Sequence, residues 1–359
     1  MTQKARDFLI AVTIGTTGGA LFTWAGVPLG WLLGALCLAT VAAMRSVPLY
    51  MPSWLRTLMI VVLGVLIGSA FTPDVMHDAS SWLLPLGMLL VFVIGAGGLS
   101  RWFFYRVGKY DRITSFFAAA PGGLNEMVLM GQSMGGDDRV ISLSHAIRIL
   151  VVVATVPLFL RLWEGAERIT TLTPPGATVT ARDVAILGAA GIAGFALARL
   201  IRLPASQLTG PMLLSAAVHI LGWTAANPPA LLVIVAQVII GTAIGCRFVG
   251  VDFFSVRRIL WVSAVAALVT IALAIGFAYG ADRLFDIGFA RMLLSLAPGG
   301  VAEMSLTALA LNVDTAFVST HHVARIAMVV VLAPIIFRAG RKLLGTAETP
   351  PSDPKDRQS

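Results

Sequence analysis

The chain has 359 residues, 57% of them hydrophobic and 12% charged, with a net charge of +8 and a mean hydropathy of +0.87. A soluble domain is about one quarter charged, so a single large soluble core is excluded, because too little polar surface remains to cover it. The positive balance does not point to nucleic acid, since no basic, aromatic-interleaved patch stands outside the apolar stretches. In such a chain it points to cytoplasmic connections rich in Lys and Arg.

Taken in order, the charges separate apolar runs of roughly 15–24 residues, the length that crosses a bilayer core. The run after Lys4 and Arg6 holds Gly15, Gly18 and Gly19 without a convincing cleavage site, and reads as a first membrane segment. Spans are predicted over 8–26, 29–44, 55–71, 82–100 and 140–160, then over 183–201, 206–222, 229–246, 259–280 and 316–337. Residues 1–161 form an N-terminal membrane repeat and 182–342 a C-terminal one. The Thr-rich stretch 162–181, with Pro174-Pro175, reads as a linker, and 343–359, with Pro350-Pro351, as a disordered tail. Cys37 and Cys246 sit inside apolar segments as structural thiols and form no disulfide framework.

The repeat is visible directly. Ala120-Pro121-Gly122-Gly123-Leu124-Asn125-Glu126-Met127 returns as Ala297-Pro298-Gly299-Gly300-Val301-Ala302-Glu303-Met304, an offset of 177 residues. The register continues through Asp137 and Asp314, His145 and His322, Arg148 and Arg325, and Arg161 and Arg338, giving 15 identities over the 41 positions from Pro121. Upstream, Gly64 and Gly68 match Gly241 and Gly245, small residues at a four-residue spacing that lets helices pack closely.

Orientation follows from the cations. The N-terminus and the 45–56 and 101–112 connections carry Lys and Arg, whereas 72–80 has Asp74 and Asp78 and neither cation. Both termini are therefore expected in the cytoplasm. Pro-Gly-Gly removes a donor and the steric limits on the backbone, so each copy must break a helix. If the broken segments are re-entrant, each half has five spans and the halves are inverted. If they cross, each half has six and the halves run parallel. Inversion keeps Arg199, Arg202, Arg247, Arg257 and Arg258 in short cytoplasmic connections, and is favoured. The expected fold is an all-α polytopic membrane protein of two internal repeats, with about ten transmembrane helices and two re-entrant or broken Pro-Gly-Gly segments.

The candidate site comprises Pro121, Gly122, Gly123, Asn125, Glu126, His145 and Arg148, with Pro298, Gly299, Gly300, Glu303, His322 and Arg325. Broken backbone inside a membrane lines a cavity or is buried in protein. The helix restarting after each break offers free N–H groups, and the His and Arg, three residues apart, share one helix face. Ionisable groups at that depth face a cavity or a partner. Glu126 is the expected partner of Arg148, and Glu303 of Arg325. A closed clamp that only holds the segment in place is the bland alternative to a ligand or ion-coupling site. Asp137 and Asp314 read as helix caps. No metal-ligand spacing, Walker loop or GxSxG is present, so neither a cofactor nor an enzymatic reaction is expected.

The paired APGG(L/V)xEM elements, each followed by H-x-x-R, resemble the AbrB family of bacterial inner-membrane proteins, over about residues 8–340. The resemblance implies a multi-pass inner-membrane protein, and carries the labels regulator of gene expression and ammonia monooxygenase. It does not extend to the small DNA-binding domains of the same name. A copper site needs clustered imidazoles, whereas each of these histidines adjoins a guanidinium. No loop is long enough for a DNA-binding domain, so regulation would be indirect. The residues favour a secondary transporter of a small solute coupled to a proton or cation, with the two glutamates binding the ion and the two arginines favouring an anion. His145 and His322 would assist protonation. The alternative is a membrane sensor or regulator using the same cavity. Expected partners are the bilayer, a small solute or ion and further copies of the chain as a homo-oligomer, with no nucleic acid.

Overall fold

The computed structural model describes residues 2–164 and 179–343, and all of their regular structure is helical. The expected linker and tail fall mainly on 165–178 and 344–359, outside the described residues. The elements are α1 Gln3–Trp24, α2 Gly30–Met44, α3 Ser53–Gly68, the short α4 Pro73–His77, α5 Leu83–Arg106, α6 Arg112–Ala119, α7 Leu124–Ser133 and α8 Asp138–Glu164. They continue with α9 Ala181–Leu200, α10 Ser206–Ile220, α11 Ala230–Gly245, α12 Phe253–Phe285, α13 Phe289–Leu296, α14 Val301–Ala310 and α15 Thr315–Leu343. Among the described residues, seven helical stretches are long and apolar enough to cross a membrane: Gln3–Trp24, Ser80–Arg106, Asp138–Trp163, Ala181–Leu200, Ala230–Phe248, Val256–Phe285 and Thr315–Leu332.

Three of the ten expected spans are shorter helices. α2 and α10 have 15 residues each and α3 has 16, so each is about 22–24 Å long against a core of about 30 Å. They are interior elements, and glycine sets how close they lie. A Cβ on Gly18 or Gly34 would overlap the partner backbone between α1 and α2, and Gly194 and Gly210 do the same between α9 and α10. Gly64 and Gly68 press α3 onto Leu208 and Met212 of α10, while Gly241 and Gly245 press α11 onto Leu32 and Ala39 of α2. Hydroxyl pairs join the remaining long helices, with Ser100 and Thr270 at 3.1 Å between α5 and α12 and Ser263 donating to Ser144 at 2.9 Å between α12 and α8. The outer faces are apolar, with Leu9, Val91, Ile94, Leu197 and Val331 exposed, the surface that lipid requires.

Each Pro-Gly-Gly segment is the tip of a helical hairpin. α6 and α7 have 8 and 10 residues, as do α13 and α14, so each arm is only about 12–15 Å long. The arms are antiparallel. The Asp137 backbone N–H, just past α7, donates to Thr114 Oγ1 near the start of α6 at 2.8 Å. Arg291, near the start of α13, pairs with Asp314, just past α14, at 3.9 Å. Arg291 and Asp314 stand 177 residues after Thr114 and Asp137. Both aspartates also cap the following helix, accepting from Val140 and Phe317.

Candidate functional site

The tip of each hairpin ends one helix and starts another. Residue types that repeat in the sequence meet the needs of those two ends. A helix C-terminus leaves carbonyl groups without partners. On the first hairpin His145 Nε2–H donates to Phe117 O at 2.9 Å, and Arg148 Nη1 donates to Ala120 O at 3.0 Å. On the second, His322 Nε2–H donates to Leu294 O at 2.8 Å and Arg325 Nη1 to Ala297 O at 2.6 Å. The three-residue step of H-x-x-R thus matches the three-residue step between the carbonyls it serves. It also places a cation at the negative end of each broken helix.

The glycines have separate tasks. A Cβ on Gly122 would come within 2.9 Å of Val329 Cγ1 and 3.1 Å of Met127 Sδ, and one on Gly299 within 2.9 Å of Met304 Cγ. The first glycine therefore makes room for the methionine of the motif. A Cβ on Gly123 or Gly300 would overlap the carboxylate of Glu126 or Glu303. Each glutamate is the third residue of the new helix and folds back over its N-cap glycine, where the helix end favours negative charge. Pro121 and Pro298 supply the break itself. The side chain of Asn125 lies outside the described residues.

The expected Glu–Arg ion pairs do not form. Arg148 spends its second terminal nitrogen on His145 Nδ1 at 2.8 Å, and Arg325 donates its own to Gly299 O at 2.6 Å. Carbonyls freed by the break outcompete the carboxylates because they lie directly under the guanidinium, whereas each glutamate turns toward its own helix end. His145 has both ring nitrogens engaged, and since a carbonyl only accepts, its proton sits on Nε2. His322 Nδ1 and the Nε atoms of Arg148 and Arg325 are buried without a protein partner.

Two cations absent from the expected site converge on Glu303. Arg56, in the first turn of α3, and Arg247, in the turn after α11, lie within electrostatic reach of Glu303 and of each other. Arg148 and Arg325 are within reach of one another, which brings the two halves' charges to one place. Arg56 and Arg247 read in the sequence as ordinary cations of cytoplasmic connections. At the 177-residue offset they correspond to Val233 and Ala70 (56 + 177 and 247 − 177), so the repeat gives no signal for them. Buried polar atoms without partners, rare in folded proteins, also occur on Gln237 of α11 and Ser305 of α14. A cavity of about 10 Å³ adjoins Arg148, bordered by Ser100, Ser144, Ser263 and Thr270. Among the described residues no three His, Cys, Asp or Glu side chains come together as metal ligands.

The hairpins are alike in sequence and unlike in packing. Every residue of α14 except Leu309 is buried, as are Pro298 and Gly299, whereas in α7 only Met127 and Gly131 are buried among the described side chains and Leu129 is 66% exposed. Glu303 is 9% exposed, and Glu126 is half-buried. α14 packs against α3 as well as α8.

Compared with known proteins, residues 31–340 match the family model described as "Transition state regulatory protein AbrB". The chain is 29% identical to "Uncharacterized protein YhjN" of Bacillus subtilis (strain 168), over 93% of each chain. It is 26% identical to "Putative regulator AbrB" of Escherichia coli (strain K12), over 87% of this chain and 90% of the other.

Proposed function

The chain belongs to the AbrB family, and from that premise we propose that it is a multi-pass protein of the bacterial inner membrane acting as a secondary transporter of a small anion, coupled to a proton or cation. It is not an enzyme in this reading. The observation that carries it is the unequal packing of two hairpins of like sequence, Glu303 enclosed and Glu126 partly open. Two such elements that exchange docked and undocked positions open one site alternately to either side.

The reading takes α1, α2, α3, α5 and α8 as the five spans of the first repeat and α9, α10, α11, α12 and α15 as those of the inverted second, with both hairpins re-entrant. Contacts between ends that inversion puts on one side support it. Arg161, near the end of α8, bonds Gly26 O between α1 and α2, and Arg258, at the start of α12, bonds Gly108 O after α5. A crossing first hairpin would place Arg161 and Gly26 on opposite faces.

Arg56 and Arg247 lie within electrostatic reach of the enclosed Glu303, and Arg148 and Arg325, within reach of one another, bring two further guanidiniums to the hairpin tips. That excess favours an anionic solute, and Glu303 is the group that takes the coupling ion. Buried ionisable groups in a membrane mark such pathways. The regulator in a relative's name fits an indirect effect of solute uptake. The test is uptake into proteoliposomes of a panel of small carboxylates and inorganic anions under an imposed proton or sodium gradient. Glu303→Gln is expected to abolish gradient-driven uptake. If no anion moves, or if Glu126→Gln and Glu303→Gln both transport normally, the reading fails.

A further inference from the structure

A cavity of about 220 Å³ lies between α5, the first hairpin and α15. Its walls include Gly97, Gly98, Phe116, Pro121 and Val329, and its one charged residue is Arg101. The walls are otherwise apolar, so a polar solute has nothing to bond along most of its length. Ile94 lines it and is 56% exposed, and Val91, one turn earlier, is 60% exposed. The cavity is therefore continuous with the outer apolar face of α5. Arg101 stands one turn beyond Gly97, about 6 Å along the helix, toward the basic connection that holds Arg106, Lys109 and Arg112. Its guanidinium lies 5.9 Å from the Phe116 ring centre, and it has no carboxylate partner among the described residues.

Gly97 and Gly98 are not required by a close approach. A Cβ on Gly98 would meet nothing within 4 Å, and one on Gly97 only Pro121 Cδ at 4.0 Å. Glycine is unfavourable inside a helix, and here its effect is to leave the space open. An apolar slot entered from the side, ending at a cation at the depth of the basic connection, has the form of a lipid site with anionic recognition.

We propose that this cavity holds one acyl chain of an anionic phospholipid, with the headgroup on Arg101 and the chain along Gly97 and Gly98 against Pro121. The lipid then braces the less enclosed hairpin at its break, where Ala120 O accepts from Arg148. This rests on the membrane reading and not on transport, so its test uses no flux.

The experiment is native mass spectrometry and thermal melting of the full chain in detergent, with added phosphatidylglycerol, phosphatidylcholine or octanoate. Phosphatidylglycerol is expected to leave one retained lipid per chain and to raise the melting temperature by about 3–5 °C over phosphatidylcholine. Gly98→Leu, which fills the slot, and Arg101→Gln, which leaves the walls intact, should each lose that difference, while Arg101→Lys keeps most of it. Should Gly98→Leu fail to fold, Arg101→Gln with its lysine control decides alone. Equal shifts by the two lipids, or a full phosphatidylglycerol shift in Arg101→Gln, would overturn the proposal. Stabilisation by octanoate with none by phosphatidylglycerol would overturn the lipid source in favour of a soluble acid.

Discussion

The Asp137 backbone N–H donates to Thr114 Oγ1 at 2.8 Å, so the chain leaves the first hairpin beside the point where it entered. Arg291 and Asp314 close the second hairpin at the matching place. A segment that begins and ends at one level, with arms of 8 and 10 residues, turns back at its Pro-Gly-Gly tip.

This relationship predicts the topology. In a Cys37→Ala, Cys246→Ala background, single cysteines at 136 and 250 should label from the cytoplasm, and those at 284 and 312 from outside. A crossing hairpin reverses 136, 250 and 284 while leaving 312 outside. Membrane-impermeant maleimide labelling of right-side-out and inverted vesicles reads the difference.

The motif's second glycine should be energetically coupled to its glutamate. Gly300→Ala puts a methyl group where the Glu303 carboxylate lies, so the carboxylate must leave its place over the helix end, at a cost of about 0.3–1 kcal/mol. In the Glu303→Ala background the same change should cost less than half as much, because the obstruction has gone. Thermal melts of the two single variants and the double variant measure the coupling.

Arg148 and Arg325 are held by carbonyls, so their stability contribution should not depend on the glutamates. A double-mutant cycle of Glu126→Gln with Arg148→Leu should give a coupling below about 0.5 kcal/mol. Arg325→Leu alone should cost about 2–4 kcal/mol, since it strips Ala297 O and Gly299 O of their donor in a buried place. A coupling above about 1 kcal/mol would restore the ion pair that the sequence favours.

Arg56 and Arg247 lie within electrostatic reach of Glu303 and of each other, and Arg247 also of His145. Replacing either with Gln should lower uptake of the transported anion by about tenfold or more, equivalent to about 1.4 kcal/mol, with the fold retained because both side chains sit at helix ends. Conserved uptake in Arg56→Gln and Arg247→Gln would remove them from the binding site.

His145, with both nitrogens engaged, is a fixture of the hairpin, whereas His322 keeps Nδ1 free of protein partners. His145→Gln should therefore lower thermal stability and leave uptake per folded molecule largely unchanged, whereas His322→Gln should lower uptake in protein that still folds. Thermal melts and proteoliposome uptake of the two variants compare them.

Much of the molecule was written in local chemistry. Long apolar runs can only become helices when backbone groups must be satisfied without water. Pro121-Gly122-Gly123 and Pro298-Gly299-Gly300 break those helices whatever surrounds them, because proline lacks a donor and glycine lifts the steric limit. The 177-residue recurrence of Glu, His and Arg marked the same residues that now line the two tips. Other features depended on distant parts of the chain meeting. Whether Arg148 chose Glu126 or Ala120 O was decided by which acceptor the folded hairpin placed beneath it. Arg56 and Arg247 lie 191 positions apart (247 − 56) and outside the repeat register, so only packing could bring both to Glu303. The unequal burial of two nearly matching hairpins is likewise a property of what each docks against, and a sequence that repeats itself cannot say which copy is enclosed.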